Sequence, residues 1–230
     1  MIADREIPDF RLQIAGLKIA DVQRCLHQVG VRQFHNRNSN LKSRICNLPS
    51  TILTVATLYT IGHSTRTLDE LIESLRAHSI LALADIRSFP MSRRLPHFNR
   101  ESLEKTLPAA GIQYVWMKEL GGRRKAIRDD SPNIALRNSS FRNYADYMLT
   151  KEFQRAAASL IEMAEKSRTA YMCAERVYFH CHRMLVSDWM TAHGHEVLHI
   201  DGTGPAKPHK MLAEARVIDG ELIYRGDLLL

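Results

Sequence analysis

The chain has 230 residues, 45% of them hydrophobic, 25% charged and 7% aromatic, a composition that excludes disorder, collagen and coiled coil for the chain as a whole and fits one sizeable domain with or without an appendage. Its 32 Lys/Arg against 25 Asp/Glu leave a net charge of +7 and a pI near 9.4, which favours phosphorylated or polyanionic partners over acidic ones. Eight basic and four acidic residues lie in 1–57, so the remainder carries only +3 and is not strongly basic.

Cysteines at 25, 46, 173 and 181 are too few and too scattered for a disulfide scaffold, and a reducing cytoplasm is the expected compartment. Asp4 and Glu6 stand where a signal peptide needs a basic start and an apolar run. No stretch approaches the roughly 20 apolar residues of a spanning helix, so no membrane is expected.

Residues 1–57 read as a separate N-terminal extension, with one amphipathic helix carrying Ile19, Val22, Leu26 and Val29. From Leu58 a regular rhythm begins. Leu58 to Ile61 reads as a strand, and Thr67 to Glu70 as a capping box opening a helix with Leu68, Leu71, Ile72 and Leu75 on one face. Ile80 to Ala84 makes a second strand, Asn99 caps a helix to about Leu107, and Ile112 to Trp116 makes a third strand. A polar loop over 121–140 carries Arg123, Arg124, Lys125, Arg128 and Arg137, and loops of such length usually bind or cover something. Two helices, Phe141 to Leu149 and Lys151 to Lys166, precede a strand at 169–173, a helix from about Cys181 to His193 and a strand at 196–200. Asp219-Gly220 between two short apolar runs signals a terminal hairpin at a sheet edge or on one face. Strands alternating with helices predict an α/β, Rossmann-like three-layer domain over 58–230, with a mainly parallel five-stranded sheet and a C-terminal β-hairpin.

Ligands of such sheets bind outside the carboxyl ends of the strands, and polar clusters stand at four of these ends: His63-Ser64, Asp85 to Arg94, Glu119 to Arg123, and Cys173-Ala174-Glu175 with Cys181-His182-Arg183. Those clusters, with Thr60-Ile61-Gly62, Asp85-Ile86-Arg87-Ser88-Phe89-Pro90, Pro96-His97-Phe98-Asn99, Glu119-Leu120-Gly121-Gly122 and Tyr144-Ala145-Asp146-Tyr147-Met148, make the chain from about Leu58 to Tyr224 resemble the domain of unknown function 488 (DUF488) family. The resemblance implies the fold and the positions of a site and carries no activity with it. Val177-Tyr178-Phe179 departs from it, standing where family members usually have an Asp-Pro or similar polar turn.

Each candidate has a functional and a structural reading. Cys173 is a nucleophile if nearby positive charge lowers its pKa, or a buried thiol, and Glu175 in the same turn is an alternative base or nucleophile. Cys181, Arg183 and a helix start there are an anion site, or Arg183 pairs internally with Glu175 or Asp188. Asp85 and Arg87 point to the same side of their strand and hold a polar ligand or each other. Arg93, Arg123 and the neighbouring arginines form a basic rim over Gly121 and Gly122 or an ordinary solvated surface. Ser64 completes the first cluster, and His63, His182 and His209 are candidate proton-transfer or ligand groups. No cofactor is expected; a zinc site of Cys173, Cys181 and His182, with His63 as a further donor, has suitable chemistry, but two cysteines eight positions apart with no CxxC argue against it. The leading expectation is an enzyme acting on a nucleotide-like or other phosphorylated substrate; the alternative is a non-catalytic nucleotide or nucleic-acid binder with structural cysteines. A third reading is a redox pair of Cys173 and Cys181, which requires the two thiols to approach within disulfide distance.

Overall fold

The computed structural model describes residues 55–226; the helix expected around Ile19 to Val29 lies outside them. Five strands run parallel in the order β3-β2-β4-β1-β5: β1 Thr57–Gly62, β2 Ala82–Asp85, β3 Gln113–Trp116, β4 Thr169–Cys173 and β5 Glu196–Ile200. A sixth strand escaped the sequence reading. It is β6, Lys207–Pro208, antiparallel to β5, and two residues with a proline offer no periodicity to detect. The expected hairpin forms as β7 Ala215–Ile218 and β8 Glu221–Tyr224, a separate two-stranded sheet. Asp219 and Gly220 take φ of 52° and 83° at its turn, the left-handed pair that a tight hairpin needs.

Helices cover both faces. Tyr59, Ile61, Leu83, Ala170 and Met172 pack against α1, Leu68–Ala77, and α2, Arg100–Ala109, through Leu71, Leu75, Leu103 and Leu107. Leu58, Ala84, Tyr171 and Val197 point the other way. They meet α3, Ser139–Met148, α4, Lys151–Lys166, and α5, Arg183–Ala192. Burial on both faces is why these strands read as continuous apolar runs instead of alternating ones.

Local signals place the helices. Thr67 Oγ1 accepts from Glu70 N at 3.2 Å, and Glu70 Oε2 accepts from Thr67 N at 2.7 Å, closing the capping box. Asn99 takes the N-cap position of α2, but its side chain makes no cap bond and instead accepts from Ser92 N at 2.6 Å. α5 begins at Arg183, two residues later than the sequence suggests. No helix among the described residues is long and apolar enough to cross a membrane.

The strand order positions the site. β4 lies between β2 and β1, with Gly62 opposite Cys173 and Asp85 opposite Met172. The polar clusters that follow these three strands are therefore neighbours, with the β4 cluster in the middle.

Candidate functional site at the strand ends

Arg87 follows β2 and is 6% exposed. Its Nε donates to Asp85 Oδ1 at 2.8 Å, Nη2 to the Phe98 carbonyl at 2.8 Å, and Nη1 to His63 Nε2 at 3.1 Å. Tyr114 Oη donates to the other Asp85 oxygen at 2.7 Å. Asp85 and Arg87 form a buried ion pair. Phe98 also stacks on His63 at 4.2 Å, so the Pro96 to Asn99 segment closes the cage around the guanidinium.

His63 Nδ1 lies 2.9 Å from the Ser64 carbonyl, and its Nε2 faces an obligate donor. That pairing fixes a neutral ring with the proton on Nδ1. Burial, then the Arg87 charge, push its pKa down to about 4. Such a ring orients Arg87 and is poorly suited to proton transfer at neutral pH.

Arg183 is 1% exposed. Nη1 donates to Thr60 Oγ1 at 2.9 Å, Nη2 to the carbonyls of Arg176, at 3.0 Å, and Glu175, and Nε to Cys181 Sγ at 3.4 Å. It pairs with neither the Glu175 nor the Asp188 carboxylate, so the sequence expectation of an ion pair is corrected. The guanidinium clamps the loop from 174 to 182 onto the end of β1. Gly62 permits this, because a Cβ there would lie 1.8 Å from the Glu175 carbonyl oxygen. Donors at the start of α5 are also engaged: Cys181 N reaches Tyr178 O, Arg183 N reaches Cys181 Sγ and Met184 N reaches Cys181 O.

Cys173, at the end of β4, is 8% exposed and Cys181 4%. His182 Nδ1 lies 3.8 Å from Cys173 Sγ and 3.9 Å from Cys181 Sγ, while its Nε2 donates to the Ile86 carbonyl at 3.0 Å. Donation from the Cys181 thiol, the Arg183 charge and the amides of Glu175 and Ala174 outweigh burial and hold the Cys173 pKa down to about 7. The same donation, with burial, pushes Cys181 up. Gly122 sits against the His182 ring, where a Cβ would come within 2.4 Å of Nδ1.

These groups open on a cavity of about 470 Å³. Of the residues singled out in the sequence, Arg87, Gly122, Arg123, Cys173, Glu175, Cys181 and His182 line it. His63, Asp85, Gly121 and Arg183 are not on its wall; the first, second and last of these support it through the contacts above, and Gly121 is packed on Ser88. Ser64, with φ of 52°, lines a different cavity with Arg66, Arg176 and Asp201. His209 belongs elsewhere as well, bonded to Asp188 at 2.7 Å and His199 at 2.9 Å, and Arg93 is exposed off the cavity wall. Sequence reasoning missed Ser88, Phe89, Met91, Ser140 and Phe141 on the wall. The first two stand inside the Asp85 to Pro90 motif, which was a usable signal.

The basic loop is anchored. Asp146 Oδ1 accepts from Ser131 Oγ at 2.6 Å and Asn133 Nδ2 at 2.8 Å, while Tyr144 and Tyr147 donate to the carbonyls of Leu120 and Glu119, each at 2.7 Å. Arg124 lies over the Tyr147 ring at 3.7 Å and donates to the Glu119 and Gly121 carbonyls. It is thereby withdrawn from the rim, leaving Arg123 on the cavity.

A family model described as Domain of unknown function DUF488 matches residues 67–190. The chain belongs to the DUF488 family. The matched span carries Arg87, Cys173, Cys181, His182 and Arg183, and β1 with His63 precedes it. Neither the curated proteins nor the solved structures offer a match to the chain. The aromatic departure at 177–179 has a structural role in this DUF488 domain: Tyr178 stacks on His199 at 3.5 Å between ring centres and meets His209 edge-on.

Proposed function

We propose that the domain is an enzyme that uses the Cys173 thiolate as a nucleophile on a phosphorylated, nucleotide-like or smaller substrate bound in the strand-end cavity. The observation that carries this reading is the position of Cys173 Sγ on the cavity wall with His182 Nδ1 at 3.8 Å and the buried Arg183 behind Cys181. A thiolate held by amides and positive charge is nucleophilic at neutral pH. His182, with its proton fixed on Nε2 by Ile86 O, has a lone pair on Nδ1 to take a proton from the thiol or return it to a leaving group. Arg123 and the Gly122 backbone at the rim are the contacts for an anionic group, and Glu175 stands at the opening as a second base.

The test is Cys173 alkylation against pH in the folded protein, followed by peptide mapping, with Cys173→Ser as control. The expected midpoint is near 7, with labelling slowed by inorganic phosphate or nucleoside phosphates. A midpoint at the ordinary thiol value of about 8.5, or labelling indifferent to every phosphate compound tried, would remove the reading. The binding-only alternative rests on exposed Arg93, Arg94, Arg123 and Arg128 and is weakened by the internal use of Arg124.

A further inference from the structure

The candidate nucleophile, a second thiol and an imidazole form a cluster whose geometry exceeds what nucleophilic catalysis needs. The donor atoms of Cys173, Cys181 and His182 all lie within 4.8 Å of one another, and all three residues are buried. We infer that this cluster is a three-ligand site for a soft divalent cation of the zinc class, with its fourth position open to the cavity, and that occupancy silences the Cys173 nucleophile. The inhibition rests on the function proposed above; the site itself does not.

Four observations converge. A tetrahedral zinc ion with Zn–S near 2.3 Å and Zn–N near 2.0–2.1 Å sets its sulfur and nitrogen ligands about 3.6 Å apart, and the two S···Nδ1 separations here are 3.8 and 3.9 Å. Closing the two sulfur–nitrogen pairs around an ion takes a few tenths of an ångström, and the two sulfurs, within 4.8 Å of each other, need to close by at most about 1 Å to the roughly 3.8 Å of a tetrahedral site.

The imidazole is already aimed: its Nε2–H is tied to the Ile86 carbonyl at 3.0 Å, which leaves the Nδ1 lone pair directed at both sulfurs. A carbonyl on the far nitrogen is the usual support for a metal-ligating histidine.

Cys181 Sγ also accepts from Arg183 N and Nε, each at 3.4 Å, N–H···S contacts that stabilise a ligating thiolate. Finally, the donor set is two thiols and an imidazole with no carboxylate in the group, which selects zinc, cobalt or copper(I) over magnesium or calcium. The charges facing the site are Arg87 and Arg183, with Arg123 and Glu175 on the wall of the same cavity. Two thiolates neutralise a divalent ion, so an ion that displaces the two thiol protons, released to solvent, leaves the net charge beside the guanidiniums unchanged.

The sequence spacing argued against this arrangement because the cysteines lie eight positions apart, with no CxxC pair. The fold removes the objection: Cys173 ends β4, and the loop held by Arg183 returns the chain to the same point.

The test is titration of the reduced, metal-free protein with Co²⁺, in a Cys25→Ser, Cys46→Ser background with native circular dichroism, followed by Zn²⁺ displacement. One equivalent with intense tetrahedral and thiolate-to-cobalt bands is expected, lost to added Zn²⁺. The isosteric Cys181→Ser change is expected to weaken binding by more than the roughly 10–100-fold that removal of a supporting contact costs, and Cys173→Ser to do the same. Weak octahedral absorption, or thiolate bands that survive both serine variants, would overturn the site. Alkylation of Cys173 with and without Zn²⁺ separates the two proposals. Rapid labelling that Zn²⁺ does not slow overturns the inference and leaves the nucleophile standing; an inert Cys173 in metal-free protein that still binds Co²⁺ upholds the site and overturns the nucleophile.

Discussion

Replacing Arg183 by Met decides whether this arginine holds the fold or the ligand. Three oxygen acceptors, Thr60 Oγ1 and the carbonyls of Glu175 and Arg176, lose a donor, and Cys181 Sγ loses another. A buried acceptor left unsatisfied costs about 1–3 kcal/mol, which gives roughly 3–9 kcal/mol for three oxygens at full burial, and the lower part of that range applies because the two carbonyl contacts are only part-buried. Removing a buried guanidinium that has no carboxylate partner returns part of its desolvation cost. The expected net loss is about 3–4 kcal/mol, a large share of the 5–15 kcal/mol that stabilises a typical domain. Melting should fall by roughly 10 °C for a domain of this size. Differential scanning calorimetry and urea unfolding measure it, with Arg183→Lys as a second variant that should also lose stability because an ammonium cannot span the same acceptors. A melting point within about 2 °C of the parent, coupled to loss of phosphate protection at Cys173, would refute the loop-clamp assignment and restore an anion-binding role.

Gly62→Ala attacks the same junction from the other side: its Cβ would lie 1.8 Å from the Glu175 carbonyl oxygen and 2.8 Å from Arg176 Cα. The backbone must move, at a cost of about 3 kcal/mol or more, and limited proteolysis should cut within 174–182 of the variant and spare the parent. Stability should also depend on pH through His63. Its folded pKa of about 4 is depressed from 6.5, so across that window the unfolded chain binds more protons and stability falls as pH falls, by roughly 3 kcal/mol in total, with no contribution above 6.5. Urea midpoints between pH 7 and pH 4 test this, and His63→Gln should reduce the slope in that interval by its own share, the remainder coming from other buried imidazoles such as His199, whose pKa is lowered to about 3.

The parts of the fold written in local patterns were legible. Thr67 and Glu70 announce α1 by chemistry that acts within one turn, and Asp219-Gly220 announces a hairpin by its backbone freedom. Asn99 marks the start of α2 even though its side chain is used elsewhere. The convergence of His63, Asp85, Arg87 and Cys173 was also legible, because parallel strands put their carboxyl ends on one edge. What was hidden is partner choice among groups distant in sequence. Arg183 and Thr60 are 123 residues apart, and no pattern distinguishes an arginine that holds backbone carbonyls from one that holds phosphate. The loop from 121 to 138 looked free for the same reason: its restraint by Asp146 and by the Asn133 contact with Tyr224 is tertiary. The chain Asp188, His209, His199 was equally silent, since its members lie on α5, after β6 and on β5.

The source of positive charge at the site separates the two functional readings. Arg87 is balanced by Asp85 at hydrogen-bond distance, whereas Arg183 meets only neutral oxygens and Cys181 sulfur in its hydrogen bonds. One buried positive charge beside the end of β4 therefore lacks a hydrogen-bonded carboxylate, and the group on the cavity wall that it stabilises is a thiolate at Cys173. Field from a buried group is screened far less by salt than field from exposed Arg93 and Arg123. An enzyme-type ligand placed beside Cys173 should keep most of its affinity between 50 and 200 mM salt, while a nucleic acid held by six or more exposed basic contacts should lose about 10³-fold or more. Protection of Cys173 from alkylation, measured across that salt range for a nucleoside phosphate and for an oligonucleotide, reads both at once. Steep loss for both ligands would refute the buried-charge assignment and favour the surface-binding reading.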